Sequence, residues 1–237
     1  MGRMDERYAR IVRVVVEPFA AQLGPRLRSA FVKGSVARGD AVWGVSDLDL
    51  VLAFDTPTPA DTALKRETTA AARALPGGEA LVIQRIWEDR LQEMSPGVRA
   101  YWLWSCRHEA ALVHGEPPGA WLPAPPPGRG LARLLAPIIR ADGEPLAVRP
   151  ALDRQGSRQL SKRLLQGLAL PALALGEADH VPPLGVPSLD LPAEVRAHLP
   201  GVLAAYGEAP ALTDASALRA AWAVGWVFVD SVLAGEG

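Results

Sequence analysis

With 237 residues, 49% of them hydrophobic, the chain is long enough for one large or two small domains with a substantial core. A net charge of −1, with lysine only at positions 33, 65 and 162, argues against a protein whose main task is gripping long nucleic acid. A lone cysteine, Cys106, excludes an intrachain disulfide and deprives any zinc site of its usual thiolates, and His108, His114, His180 and His198 show no metal-ligand spacing.

Residues 5–23 predict a helix. Asp5 is placed to cap it, and Tyr8, Ile11, Val12, Val15, Phe19 and Leu23 form one apolar stripe until Gly24-Pro25 ends it. A short strand over 28–33 delivers Gly34-Ser35; a brief helix from Val36 and a loop around Trp43-Gly44 lead to a strand over 47–54. Thr56-Pro-Thr-Pro59 breaks that strand. An Ala-rich helix over 60–75 ends at Pro76-Gly77-Gly78, a strand over 79–87 follows, and a mostly helical stretch runs from about 98 through Trp102 and Trp104 to Ala111. Pro117-Pro118, Pro123 and Pro125-Pro-Pro127 read as a semi-rigid connector, so the expected division is 1–116, linker 117–128 and a helical domain 129–237.

The C-terminal part predicts helices at about 130–141, 151–175, 192–206 and 214–234, with Pro171 kinking or ending the second and Thr213 or Asp214 capping the last. Trp222 and Trp226, four apart, read as core, and Cys106 as a small buried hydrophobe. Residues 177–190 read as an irregular loop. Arg158 and Lys162 share a helical face, which reads first as a solvated basic surface. No apolar run is long enough to span a bilayer, and Ala220–Val229 reads as a core or dimer-interface helix; a homodimer is compatible with it. With no recognisable signal peptide, a cytoplasmic protein is expected, and the Arg, Ala, Pro and Gly bias suits a GC-rich bacterial genome.

The informative motif is Gly34-Ser35 followed by Ser46-Asp47-Leu48-Asp49. Alternate residues of a strand share a face, so Asp47 and Asp49 would face one way and Leu48, Leu50 and Leu52 the other. Paired carboxylates suit magnesium, which takes carboxylate oxygens together with waters and phosphates. Gly34 lets the backbone approach a phosphate closely, Ser35 and the amides after it supply donors, and Arg38 supplies a charge suited to phosphate.

On these residues the chain resembles the nucleotidyltransferase superfamily of DNA polymerase beta, in particular its aminoglycoside-type and minimal bacterial branches. The motif Gly-Ser-Val-Ala-Arg-Gly…Ser-Asp-Leu-Asp-Leu carries the likeness. The resemblance implies an α+β protein: an N-terminal mixed-sheet nucleotidyltransferase core followed by an all-helical domain. It implies magnesium held by Asp47 and Asp49, a triphosphate, with ATP first choice, on Gly34, Ser35, Arg38 and Ser46, and a small-molecule acceptor resembling an aminoglycoside. It also implies that Lys162, with Arg158, reaches the triphosphate tail, and that a third carboxylate completes the site. Glu79 is the first choice for that acid, with Glu88, Asp89, Glu109 and Glu116 as alternatives, because Gln84 and Arg85 occupy the middle of the expected strand. The competing expectations are an antitoxin-like or regulatory nucleotide binder of the same fold, and transfer onto protein or RNA.

Overall fold

The computed structural model describes residues 4–207 and 215–235, with the side chain of Glu88 outside that description. In chain order the elements are α1 (Glu6–Leu23), β1 (Leu27–Lys33), α2 (Ser35–Arg38), β2 (Leu48–Phe54), α3 (Pro59–Arg73), β3 (Leu81–Ile86), α4 (Glu88–Glu93), α5 (Pro96–His108), β4 (Ala110–Gly115), α6 (Pro118–Trp121), α7 (Gly128–Ala147), α8 (Arg154–Leu168), α9 (Leu170–Leu175), α10 (Ala193–Arg196), α11 (Leu199–Tyr206) and α12 (Ala215–Ala234). They divide into two compact units, Met1–Ser95 with Trp102–Ala124, and Pro96–Tyr101 with Pro125–Gly237. The class is α+β: a four-stranded mixed sheet with helices, then a helical region.

In the first unit the strand order is β3-β2-β1-β4. β1 pairs antiparallel with both β2 and β4, while β2 and β3 run parallel and are joined through α3. Asp5 caps α1 by accepting from the Arg7 amide at 2.8 Å, and the predicted stripe from Tyr8 to Leu23 is buried. Helix α3 opens with a reciprocal capping box, in which Thr58 and Asp61 bond each other's amides, and Pro59 fits its first turn. One sheet face, with Val32, Leu48, Leu50, Leu52, Leu81 and Ile83, forms a core with α1 and α3. The other carries Phe31, Val51, Ala53 and Ile86 against Trp102, Leu103 and Cys106 of α5.

Several elements differ from the sequence reading, among them the helix predicted over 192–206, which is two helices, α10 and α11. The strand predicted from 79 starts at Leu81, because Gly78–Ala80 winds into a 3-10 turn whose Gly78 lies so close to Ala72 that a Cβ would stand 2.0 Å from the Ala72 carbonyl oxygen. The helix predicted to reach Ala111 ends at His108; Ala110–Gly115 instead pairs with β1, so tertiary pairing overrides the helical propensity of Ala-Ala-Leu. The short helix α4 was not predicted, and α6 lies within the expected linker.

In the second unit α7, α8, α9, α11 and α12 pack together. Pro171 falls in the first turn of α9, so the helix predicted over 151–175 is two helices. Trp222 and Trp226 are core residues with ring centroids 5.5 Å apart, and a Cβ on Gly143 would stand 2.0 Å from the Trp222 ring. Thr213 and Asp214 lie outside the described residues. Contrary to the sequence expectation, α12 is long and apolar enough to cross a membrane by length and composition. Its Leu218, Trp222, Trp226 and Val229 are nevertheless buried within the helical unit, as in a core helix.

Candidate active site

The site is built where three strands come into register. Lys33 at the end of β1 pairs with Asp49 on β2, and Asp49 pairs with Val82 on β3. Paired residues share a face, and so does Gln84, two residues beyond Val82. This face therefore presents Lys33, Asp49 and Gln84 at the ends of the strands next to Gly34. The opposite face at the same level is wholly apolar, with Val32, Leu48 and Leu50.

Gly34 turns the chain out of β1 with φ +75°, a conformation that L side chains rarely adopt. A Cβ placed there would lie 3.8 Å from Asp49 Oδ2, so the open space over Gly34 borders directly on the aspartate carboxylate. The Gly34 N–H donates to the Glu109 carbonyl at 3.1 Å and is therefore committed to the fold. Beyond it, α2 is a single turn containing the buried Ser35.

Asp49 is half-buried, and its Oδ1 accepts from the Gln84 amide at 3.2 Å, while Oδ2 faces the glycine. Asp47 is exposed and immediately precedes β2 rather than lying inside it. Ser46 is buried and clasps its own loop: its hydroxyl accepts from the Val42 amide at 2.9 Å, and its amide donates to the Val42 carbonyl at 2.8 Å. Lys33 is also buried, with its ammonium 5.1 Å from the centre of the Trp102 ring.

Arg38, expected at phosphate, is turned inward. Its Nη1 pairs with Glu109 Oε1 at 2.7 Å and its Nη2 lies 3.4 Å from Asp40, with Arg38 and Glu109 side chains 9% and 4% exposed. Glu109, weighed as a third acid, thus holds the turn twice, through its carboxylate on Arg38 and its carbonyl on the Gly34 amide. Glu116 is exposed and lies 3.4 Å from Arg28. Glu79 is exposed on the 3-10 turn ahead of β3, and Asp89 is exposed on α4. Lys162 is half-buried in the second unit; there Arg158 is buried with its guanidinium 4.4 Å from the Tyr206 ring centre, so the predicted solvated basic face is not what forms.

The structure thus gathers Gly34, Ser35 and Asp49, with Asp47 one residue before β2. Sequence reading missed Gln84 as the partner of Asp49 and Lys33 as their neighbour; the signal available was strand alternation, which places 82 and 84 on the aspartate's face once the register is known. Among the described residues no cluster of three or more acids, histidines or cysteines could hold a metal by itself. The donor that borders the glycine turn is the Asp49 carboxylate, with Asp47 exposed two residues before it; carboxylate oxygen of this kind fits magnesium when phosphate and water complete the shell. Burial first, opposed by the Lys33 charge and the Ser105 hydrogen bond, pushes the Cys106 thiol up to about 12, away from thiolate chemistry.

No protein-family model and no curated protein matches the chain. Among solved structures it is similar to the spectinomycin adenyltransferase AAD(9) from Enterococcus faecialis, solved with ATP and spectinomycin. The TM-score is 0.56 at 15% identity, over 95% of this chain and 98% of that one. At that identity the likeness shows the fold alone: the two share an α+β architecture, here a four-stranded mixed sheet with helices and a helical C-terminal region.

Proposed function

We propose that the protein is a nucleotidyltransferase that moves a nucleoside monophosphate, AMP from ATP as first choice, onto a hydroxyl of a small acceptor. The observation that carries this reading is the Asp49 carboxylate, one oxygen of which borders the open space above Gly34. Supporting it is a fold shared with an adenyltransferase solved with ATP and a small molecule.

In this reading the triphosphate lies over Gly34, with Ser35 and the amides beyond it as donors. Asp47 and Asp49 would hold magnesium, which supplies charge neutralisation on the phosphates. Gln84 fixes the rotamer of Asp49 by its hydrogen bond and leaves Oδ2 turned to the phosphate side. The acceptor oxygen forms its bond to the α-phosphorus as the bridging P–O bond to the β-phosphate breaks. Pyrophosphate leaves, and the hydroxyl proton passes to Glu79, on the turn entering β3. Lys33, buried near Asp49, adds positive potential to the same face.

The test is calorimetric titration of magnesium and ATP into the wild type and Asp49→Ala, together with pyrophosphate release in the presence of acceptors. The expected outcome is loss of magnesium-dependent ATP binding in the variant and a fall in turnover of about 1,000-fold, at an unchanged melting temperature. ATP binding that is indifferent to both Asp47→Ala and Asp49→Ala refutes the assignment.

A further inference from the structure

Beyond the aspartate, on the side away from Gly34, the sheet edge at β3 carries a cavity of about 390 Å³, a volume that suits a small molecule. Gln84, which bonds Asp49, lines it from one side of β3, while Lys65 and Arg85, which donates to Thr62 of α3 at 3.0 Å, line it from the α3 side, so the cavity wraps the β3 edge and meets the proposed reaction centre through Gln84. Among the described residues its charged lining is of one sign. Lys65 of α3, Arg85 of β3 and Arg90 of α4 line it, and none of its described lining residues is an acid. The described acids of α4, Asp89 and Glu93, are exposed and do not line it. Two indoles, Trp87 and Trp102, also line it, with the Arg90 guanidinium 5.7 Å from the first ring centre and the Lys33 ammonium 5.1 Å from the second. Burial first, and the nearby Arg85 charge second, hold the Lys65 ammonium below the ordinary lysine range. Like charges facing one partly desolvated space are relieved by an anion.

The order across the strands decides which ligand belongs there. Gly34 follows β1, Asp49 is on β2 and the cavity is at β3. An in-line displacement sets the incoming oxygen opposite the leaving pyrophosphate. With the triphosphate on the glycine side, the β3 side is left for the acceptor.

We infer that this cavity is the acceptor subsite and that it selects a small planar anion, a ring bearing a hydroxyl and a carboxylate or phosphate, and rejects cationic aminoglycoside-like compounds. The assignment as acceptor subsite rests on the nucleotidyltransferase reading; the charge preference rests on the lining alone. The ring lies along Trp87 beside Arg90, and the anionic group meets Lys65 and Arg90.

A matched pair of probes tests it: 4-hydroxyphenylacetate and tyramine share a ring and a hydroxyl and differ in the sign of their charge. Calorimetric titration of the full chain, without nucleotide, is expected to give at least about ten-fold tighter binding of the anion. Lys65→Gln and Arg90→Gln should each weaken it several-fold, and Lys65→Glu with Arg90→Glu should abolish the preference while circular dichroism shows an intact fold. The inference is overturned if tyramine binds as tightly, if the anion does not bind below about 10 mM, or if its binding survives the double variant. Magnesium-ATP titration on the same samples separates the two ideas. Asp49-dependent ATP binding without anion binding sinks the subsite alone; anion binding without ATP binding leaves a charge-selective cavity and removes the nucleotidyl-transfer reading.

Discussion

Along β2, the face with Leu48, Leu50 and Leu52 is fully buried in the core that α1 and α3 complete, whereas the face with Asp49 is covered by α5 only farther along, at Val51 and Ala53. One strand thus serves two purposes through simple alternation. The continuous apolar face contributes folding energy; the interrupted face leaves Asp49 half-buried beside Lys33, Gln84 and a glycine at positive φ. The difference teaches that the candidate site lies where the helical cover stops and not at the register shifts of the sheet. Burial on the charged side is also bought with pairing, since Glu109 and Arg38 are both nearly inaccessible.

Glu109→Ala probes that pairing most severely. It leaves the buried guanidinium with the more distant Asp40 carboxylate at 3.4 Å, and the expected loss of stability is about 3 kcal/mol, at the low end for breaking a buried pair, read by urea unfolding. A loss under about 1 kcal/mol would mean that water already reaches the pair. On the apolar face, Leu50→Ala is expected to cost about 3 kcal/mol with no specific effect on ATP binding per folded molecule. If ATP affinity fell in step, the two faces would not be independent. Gly34→Ala is smaller in stability, about 1–2 kcal/mol from the positive φ, but it also fills the space beside Asp49, so ATP binding should weaken more than stability does.

The smallest effect concerns a buried acid on the apolar side. Asp61 caps α3 and accepts from Arg26 at 2.9 Å. Burial alone would raise its carboxyl, but the Thr58 amide and hydroxyl and the Arg26 charge outweigh it, and the net direction is down. Its contribution is therefore complete above the ordinary carboxylate range and fades as pH falls through the lower folded-state value. Asp61→Asn is expected to cost about 1 kcal/mol at neutral pH. It should also flatten the fall of the urea midpoint on acidification below about pH 5; an unchanged acid slope would remove the linkage.

Much of this was legible in the sequence because it is local. The stripe of α1, the break between β2 and α3 at Thr56-Pro-Thr-Pro59, the turn at Gly34-Ser35 and the alternation in β2 follow from residues a few positions apart. What was not legible depends on register. β4 has too little strand character to announce itself, yet it completes the sheet beside β1 and positions Glu109 just before it. Gln84 became a partner of Asp49 only once β3 was aligned with β2. Arg38 looked free for phosphate because its inward partner lies far along the chain.

The double hold of residue 109 on the glycine turn makes that turn a poor candidate for transplantation. A segment cut out around the Gly-Ser and Asp-Leu-Asp motifs would carry the recognisable letters but leave behind the carbonyl and carboxylate that give the bend its shape. Grafted into a foreign scaffold, or left in a fragment truncated ahead of β4, those letters would lose their geometry, so motif matching alone would overcount proteins able to form such a cradle.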